Sequence, residues 1–178
     1  MASNATDHPS IEMIKLDFLT GIENAHALEK EAIELMERQI ERIEHYPEMR
    51  QILRQHVVET REQVRRLEGI LEAFTTQRSV LKDVAAKITG TMAALVHTPA
   101  GDEILKDTFA NHAFESYEIA AYKSLIAMAE AGGFVEHVPA LQETLQEEQK
   151  TAKLIHDHIE AITLKYLARE SKGLRADR

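Results

Sequence analysis

The stretch "HAFESYEIAAYKSL", residues 112–125, places Glu115 and Glu118 among Ala, Phe, Ile, Leu and Tyr. Read at helical spacing, Asn111, Glu115, Glu118, Tyr122 and Leu125 share one stripe, which runs on to Ile104 and Ala129. A helix with that stripe turns two carboxylates toward its own core. A buried anion is costly unless something neutralises it. The stretch therefore asks what stands opposite these acids.

The same pattern recurs along the chain. One stripe runs Phe18, Ile22, Ala25, Glu29, Ala32, Met36, Ile40, Ile43, with Glu29 the polar member. A second runs Ile52, His56, Glu59, Gln63, Leu67, Ile70, Phe74, and a fourth Leu141, Leu145, Glu148, Ala152, Ile155, Ile159, Ile162, Tyr166. Steps of three and four mark helix faces. Ser10 after Pro9 is a helix cap, Pro47 stops the first helix near His45, "HTPAGD" at 97–102 is a loop, and "GGF" at 132–134 ends the third helix. Long helices are thus predicted over about 10–45, 48–75, 102–131 and 138–169, with a shorter, less amphipathic one at about 79–96. No strand pattern appears. The fold class predicted is all-α, an antiparallel four-helix bundle with an additional short helix between helices two and three. Residues 1–9 are expected to form a flexible tail, 10–169 the bundle, and 170–178 a frayed C-terminal tail.

Composition supports this class. The chain has 178 residues, 44% of them hydrophobic, with only 7 Gly and 4 Pro, which favours one helical domain. A net charge of −9, from 30 acids against 21 bases, argues against nucleic acid as a partner. The absence of cysteine excludes disulfides, thiolate metal sites and Cys nucleophiles. The first residues lack a secretory pattern and no apolar run is long enough for a bilayer, so a cytoplasmic protein without a membrane partner is expected.

Each long helix thus carries an acid near its middle: Glu29, Glu59, Glu115 and Glu148, with Glu118 a turn beyond Glu115 and Gln63 a turn beyond Glu59. Antiparallel packing brings them to one level, where they either take up protons or are compensated by cations. Two divalent metal ions would neutralise four carboxylates, and Glu oxygens from facing helices bridge such pairs in di-iron and di-manganese bundles. A lone Glu in such a stripe commonly lies at its edge with its head in water. Four at matching depth weigh against that. His26, His56 and His112 each precede a stripe acid by three residues. They are ligands, carboxylate-orienting groups or helix-edge side chains. His156 and His158 fall off the stripe, as surface residues do.

The motifs "LEKEA" at 28–32, "HVVETREQVRRLEGILE" at 56–72, "ESYEIAAY" at 115–122 and "ETLQEEQ" at 143–149 resemble the ferritin-like superfamily, in its YciF-like branch of bacterial stress-associated proteins. The resemblance covers roughly residues 11–168. It implies a ferritin-like bundle with a di-metal centre, iron above all, and as ligands Glu29, Glu59, Glu115 and Glu148, with Gln63 and Glu118 as further candidates. Iron and manganese share these hard oxygen donors. The wider superfamily often has His three residues after the helix-two and helix-four acids; Glu62 and Thr151 stand there instead. Gln63 fits the branch's own pattern and Ala152 does not. The function expected is a metal-binding stress-response protein with oxidase or peroxidase-type activity on oxygen or hydrogen peroxide. The alternative is a structural or partner-binding bundle with a vestigial site. A homodimer is the expected assembly.

Overall fold

The computed structural model describes residues 9–75 and 101–178, and the predicted helix at 79–96 lies outside them. Four helices account for nearly all of the described residues: α1 (Ile11–Arg42), α2 (Pro47–Thr75), α3 (Glu103–Gly132) and α4 (Val138–Glu170). The long helices fall within a few residues of their predicted limits, and no strand occurs among the described residues.

Local chemistry sets the boundaries. The Ser10 hydroxyl accepts from the Met13 amide at 3.2 Å and caps α1. Pro47, whose fixed φ suits a first helical residue and whose missing N–H is not needed there, opens α2. At the end of α3, Gly133 takes φ +79°, and the Phe134 amide returns to the Ala129 carbonyl at 2.8 Å. A single 3-10 turn, Val135–His137, then leads into α4.

The helices pack as α1 on α2, α3 on α4, α1 on α3 and α2 on α4. The cross-links run in opposite senses along α1/α2, α1/α3 and α2/α4, which fixes α3 against α4 as well: Glu37–Arg61 and His26–Glu68, Glu29–Tyr122 and Gln39–Asn111, Glu48–Lys165 and Arg66–Glu147. Neighbouring helices are therefore antiparallel, as expected. The consecutive helices α2 and α3 sit diagonally and run the same way, so the bundle is up-down-down-up.

The core divides in two. Toward one end Tyr46, Met49, Leu53, Phe114, Ile155 and Ile162 pack together; toward the other Phe18, Ile22, Leu67, Phe74, Tyr122 and Leu125 do so. Glu29, Thr60, Gln63, Glu115, Glu118, Glu148 and Thr151 are all buried as well. The polar residues lie along the helices between the two apolar groups, so hydrocarbon seals them from both ends.

The C-terminal segment does not fray as expected. The Tyr46 hydroxyl donates to the Ala176 carbonyl, the His45 amide to that of Arg178, and the Ile104 amide to that of Asp177. Ala176 is buried. The tail carbonyls satisfy an amide in the first turn of α3 that has no partner inside the helix. Among the described residues, no helix is long and apolar enough to cross a membrane.

Candidate metal centre

Four side chains converge in the middle of the bundle. Ligand atoms of His56 from α2, Glu115 and Glu118 from α3 and Glu148 from α4 all lie within 4.8 Å of one another, and all four residues are buried. His56 Nε2 is 3.2 Å from Glu115 Oε2 and 3.3 Å from Glu148 Oε2. On the other side of the ring, Nδ1 lies 3.0 Å from the Thr151 hydroxyl and 3.5 Å from Glu59 Oε2. Thr151 Oγ thus holds the imidazole edge-on, with Nε2 aimed at the acids.

The other expected residues surround this group. Gln63 is fully buried, and its amide nitrogen donates to Glu148 Oε1 at 2.5 Å and to Glu147 Oε2 at 3.0 Å. Glu147 is in turn forked by Arg66 at 2.6 and 2.9 Å. A half-buried guanidinium thereby fixes the Gln63 amide, whose carbonyl oxygen stays free of hydrogen bonds. Glu29 accepts from the Tyr122 hydroxyl at 2.5 Å. Glu59 lies at the rim with its side chain 15% exposed, bound by Lys150 at 2.9 Å and Gln55 at 3.2 Å. The histidines separate. His56 joins the centre, His26 pairs with Glu68 near the surface, and His112 lies against His156.

Electrostatics show what this arrangement costs without a cation. Burial, and next the charge of Glu148, raise the Glu29 carboxyl to about 8. Burial likewise raises Glu115 to about 8 against the pull of His56. Burial followed by Glu29, Glu148 and Glu115 raises Glu118 well above the carboxylate range. Desolvation opposes the His56 cation, but Glu115, Glu148 and Glu59 outweigh it and raise the imidazole well above its ordinary value. Burial also works against the Glu148 anion; His56, Glu115 and Gln63 prevail and hold it below the usual range. Glu59 is lowered to about 2, first by His56 and then, against burial, by Lys150 and Gln55. The metal-free centre thus favours an imidazolium between the carboxylates of Glu148 and Glu59, while Glu29, Glu115 and Glu118 hold their protons to higher pH.

The donor set fits a divalent ion. Glu29 Oε2, Gln63 Oε1, Glu115 Oε2, both oxygens of Glu118 and Glu148 Oε2 are buried without a hydrogen-bond partner. Native proteins leave few such atoms, and each one calls for an explanation. All six are oxygen acceptors contributed by four helices, the chemistry that hard and borderline divalent ions take.

Fold and site together define a ferritin-like helical bundle with a buried His/Glu group able to hold a metal ion. The chain belongs to the family described as "Domain of unknown function (DUF892)", which matches residues 15–168. Among solved structures it is similar to a protein from Xanthomonas campestris pv. campestris, at 29% identity and TM-score 0.72, covering 89% of this chain and 99% of that one. The E. coli stress protein YciF matches at 23% identity and TM-score 0.69, over 82% and 94% of the two chains. YcfI from Rhodopseudomonas palustris matches at 22% and 0.65, over 86% and 98%. The YciF-like resemblance drawn from the sequence motifs is upheld by these matches.

Proposed function

We propose that the chain is a metal-binding stress-response protein, with iron or manganese as its ions. Glu115, Glu118, Glu148 and His56 would hold one divalent ion; Glu29, Gln63 and Glu59 would complete a place for a second. The observation that carries this reading is the group of six buried oxygens without a hydrogen-bond partner, turned inward from four helices, two of them facing His56 Nε2. Bound there, a redox-active metal would supply activation of oxygen or hydrogen peroxide.

The chain's own residues do the positioning. Thr151 fixes the His56 ring plane. The Arg66–Glu147 fork presents the Gln63 carbonyl. Tyr122 donates to Glu29 and sets which of its oxygens stays free. The two apolar halves of the core exclude water, which strengthens every charge interaction inside.

The test is elemental analysis after reconstitution with ferrous or manganous ion. About two ions per chain are expected, nearly all lost in Glu115→Ala and only partly lost in Glu59→Ala, because Glu59 stands at the rim against Lys150. A parent protein that retains no metal would overturn the reading. A second reading is a structural bundle whose site is vestigial. It is favoured by the His56 imidazolium, which already balances one carboxylate from within. It requires low metal content and no peroxide-dependent change in iron absorption.

A homodimer belongs to the same proposal. On α3, Phe109 and Tyr117 are exposed, and Tyr117 borders a groove of about 180 Å³ lined by Gly21, Ala25, Ala121 and Ser124 between α1 and α3. Large side chains beside small ones let one face serve both partners of a two-fold pair. Tyr117→Glu is expected to halve the mass measured by light scattering; an unchanged mass places the contact elsewhere.

A further inference from the structure

Outside the buried centre, a pair of histidines meets across two helices. His112 on α3 and His156 on α4 have ring centroids 5.5 Å apart, with planes inclined at 42°. His112 is half-buried and His156 is exposed. Both stand in the middle of long helices, on backbones fixed by the antiparallel packing of α3 against α4. Such a pair is held in place before any ligand arrives.

The separation is one that a shared ion can span. Imidazole nitrogen bonds zinc at about 2.0–2.1 Å with the ring centroid about 1.1 Å behind it, so two imidazoles on one tetrahedral ion have centroids roughly 5 Å apart. Nearby side chains are engaged with other partners. Lys153 Nζ binds Asp157 at 2.5 Å, and the Ser116 hydroxyl is spent on the His112 carbonyl at 2.8 Å. The two imidazole rings meet across the seam between α3 and α4.

We propose that His112 and His156 form a second, surface metal site for a borderline divalent ion of the zinc, copper or nickel class. Its chemistry is distinct from that of the buried centre. Two neutral nitrogens favour zinc, copper and nickel, whereas the carboxylate-rich interior suits iron and manganese. Water fills the remaining coordination positions. The bound ion ties α3 to α4 as a clip on the outside of the bundle. Ligands on both helices must be in place, so neither histidine alone binds comparably.

The experiment is zinc titration calorimetry near neutral pH on the full chain, with His112→Ala, His156→Ala and Glu118→Gln variants. Melting curves are recorded with and without zinc. The parent is expected to show a zinc site whose affinity falls about tenfold or more in either histidine variant, since each removes the chelating partner of the other. The zinc-induced rise in melting temperature is expected to vanish with it. Glu118→Gln, which alters only the interior, is expected to keep this site. Zinc binding that survives both histidine substitutions unchanged overturns the proposal. So does binding lost in Glu118→Gln and retained in the histidine variants, because zinc would then be going to the interior.

Discussion

Glu118→Gln is expected to strip the protein of most of its bound metal and, in the metal-free state, to raise its melting temperature. Both effects follow from the place of this side chain. Glu118 is 1% exposed, and neither of its oxygens has a hydrogen-bond partner. Burial first, then the charges of Glu29, Glu148 and Glu115, raises its carboxyl far above the ordinary range. In the unfolded chain the same group ionises near the model-peptide value of about 4.3. Above that pH, folding must either keep a proton on Glu118 or bury its charge, and each pH unit of mismatch costs about 1.4 kcal/mol. Gln keeps the shape and removes that cost, while its amide brings a smaller penalty of about 1–3 kcal/mol if it stays unpaired. The expected balance at mildly alkaline pH is a gain on the order of 2 kcal/mol, or about 4–8 °C in melting temperature. Below about pH 3 the gain disappears, because Glu118 is then protonated in both states. Elemental analysis and thermal melts in parallel decide the matter. A variant that loads metal fully, or melts lower than the parent at alkaline pH, is incompatible with Glu118 as a buried, uncompensated ligand.

The metal-free parent is expected to lose stability as pH rises from about 5 to 8, and bound divalent metal is expected to cancel or reverse that trend. The sign follows from which state holds more protons. Glu29 and Glu115, each raised from 4.5 to about 8, stay protonated in the folded chain over a window in which the unfolded chain has released them. Glu118 acts in the same direction, and His56, raised above its ordinary value, keeps its proton in the upper part of the window. A folded state that binds more protons is weakened as protons become scarce. On the acidic side Glu59, lowered to about 2, and Glu148, also lowered, act the other way, so their contribution is present above their unfolded values and is lost as pH falls. Greatest stability is therefore expected near pH 5, with a decline above it of about 1.4 kcal/mol per pH unit for each proton the folded chain retains. Divalent metal needs deprotonated ligands and takes the place of those protons, so loaded protein should hold or gain stability toward alkaline pH. Urea melts across this range, with and without manganous ion, provide the measurement. A flat profile in metal-free protein would mean that the acids are solvated.

Much of this centre can be read from single helices. Glu29, Glu115, Glu118 and Glu148 each interrupt an apolar stripe, and each is buried. Helix α2 is harder because Ile52 and Leu53, and Val57 and Val58, offer two neighbouring stripes. The buried one is Leu53, His56, Val57, Thr60, Gln63 and Leu67, which moves Glu59 to the rim and His56 to the middle. His56 was one of three equivalent His-x-x-Glu histidines in the sequence. Its distinguishing partners, Glu115, Glu148 and Thr151, come from other helices, and no local spacing reveals them. The docking of the C-terminal segment is hidden from local sequence for a similar reason. It docks through backbone carbonyls, which every residue possesses, so its polar composition carried no sign of the contact.

Two hydrocarbon cores lie on either side of a charged waist. Every helix passes through that waist, and each adds to it at least one group that would rather be in water. The waist is thus the mechanical weak point of the rod when protons alone occupy it, and its rivet when a dication does. The ends can loosen one at a time in the first case, whereas in the second they must let go together.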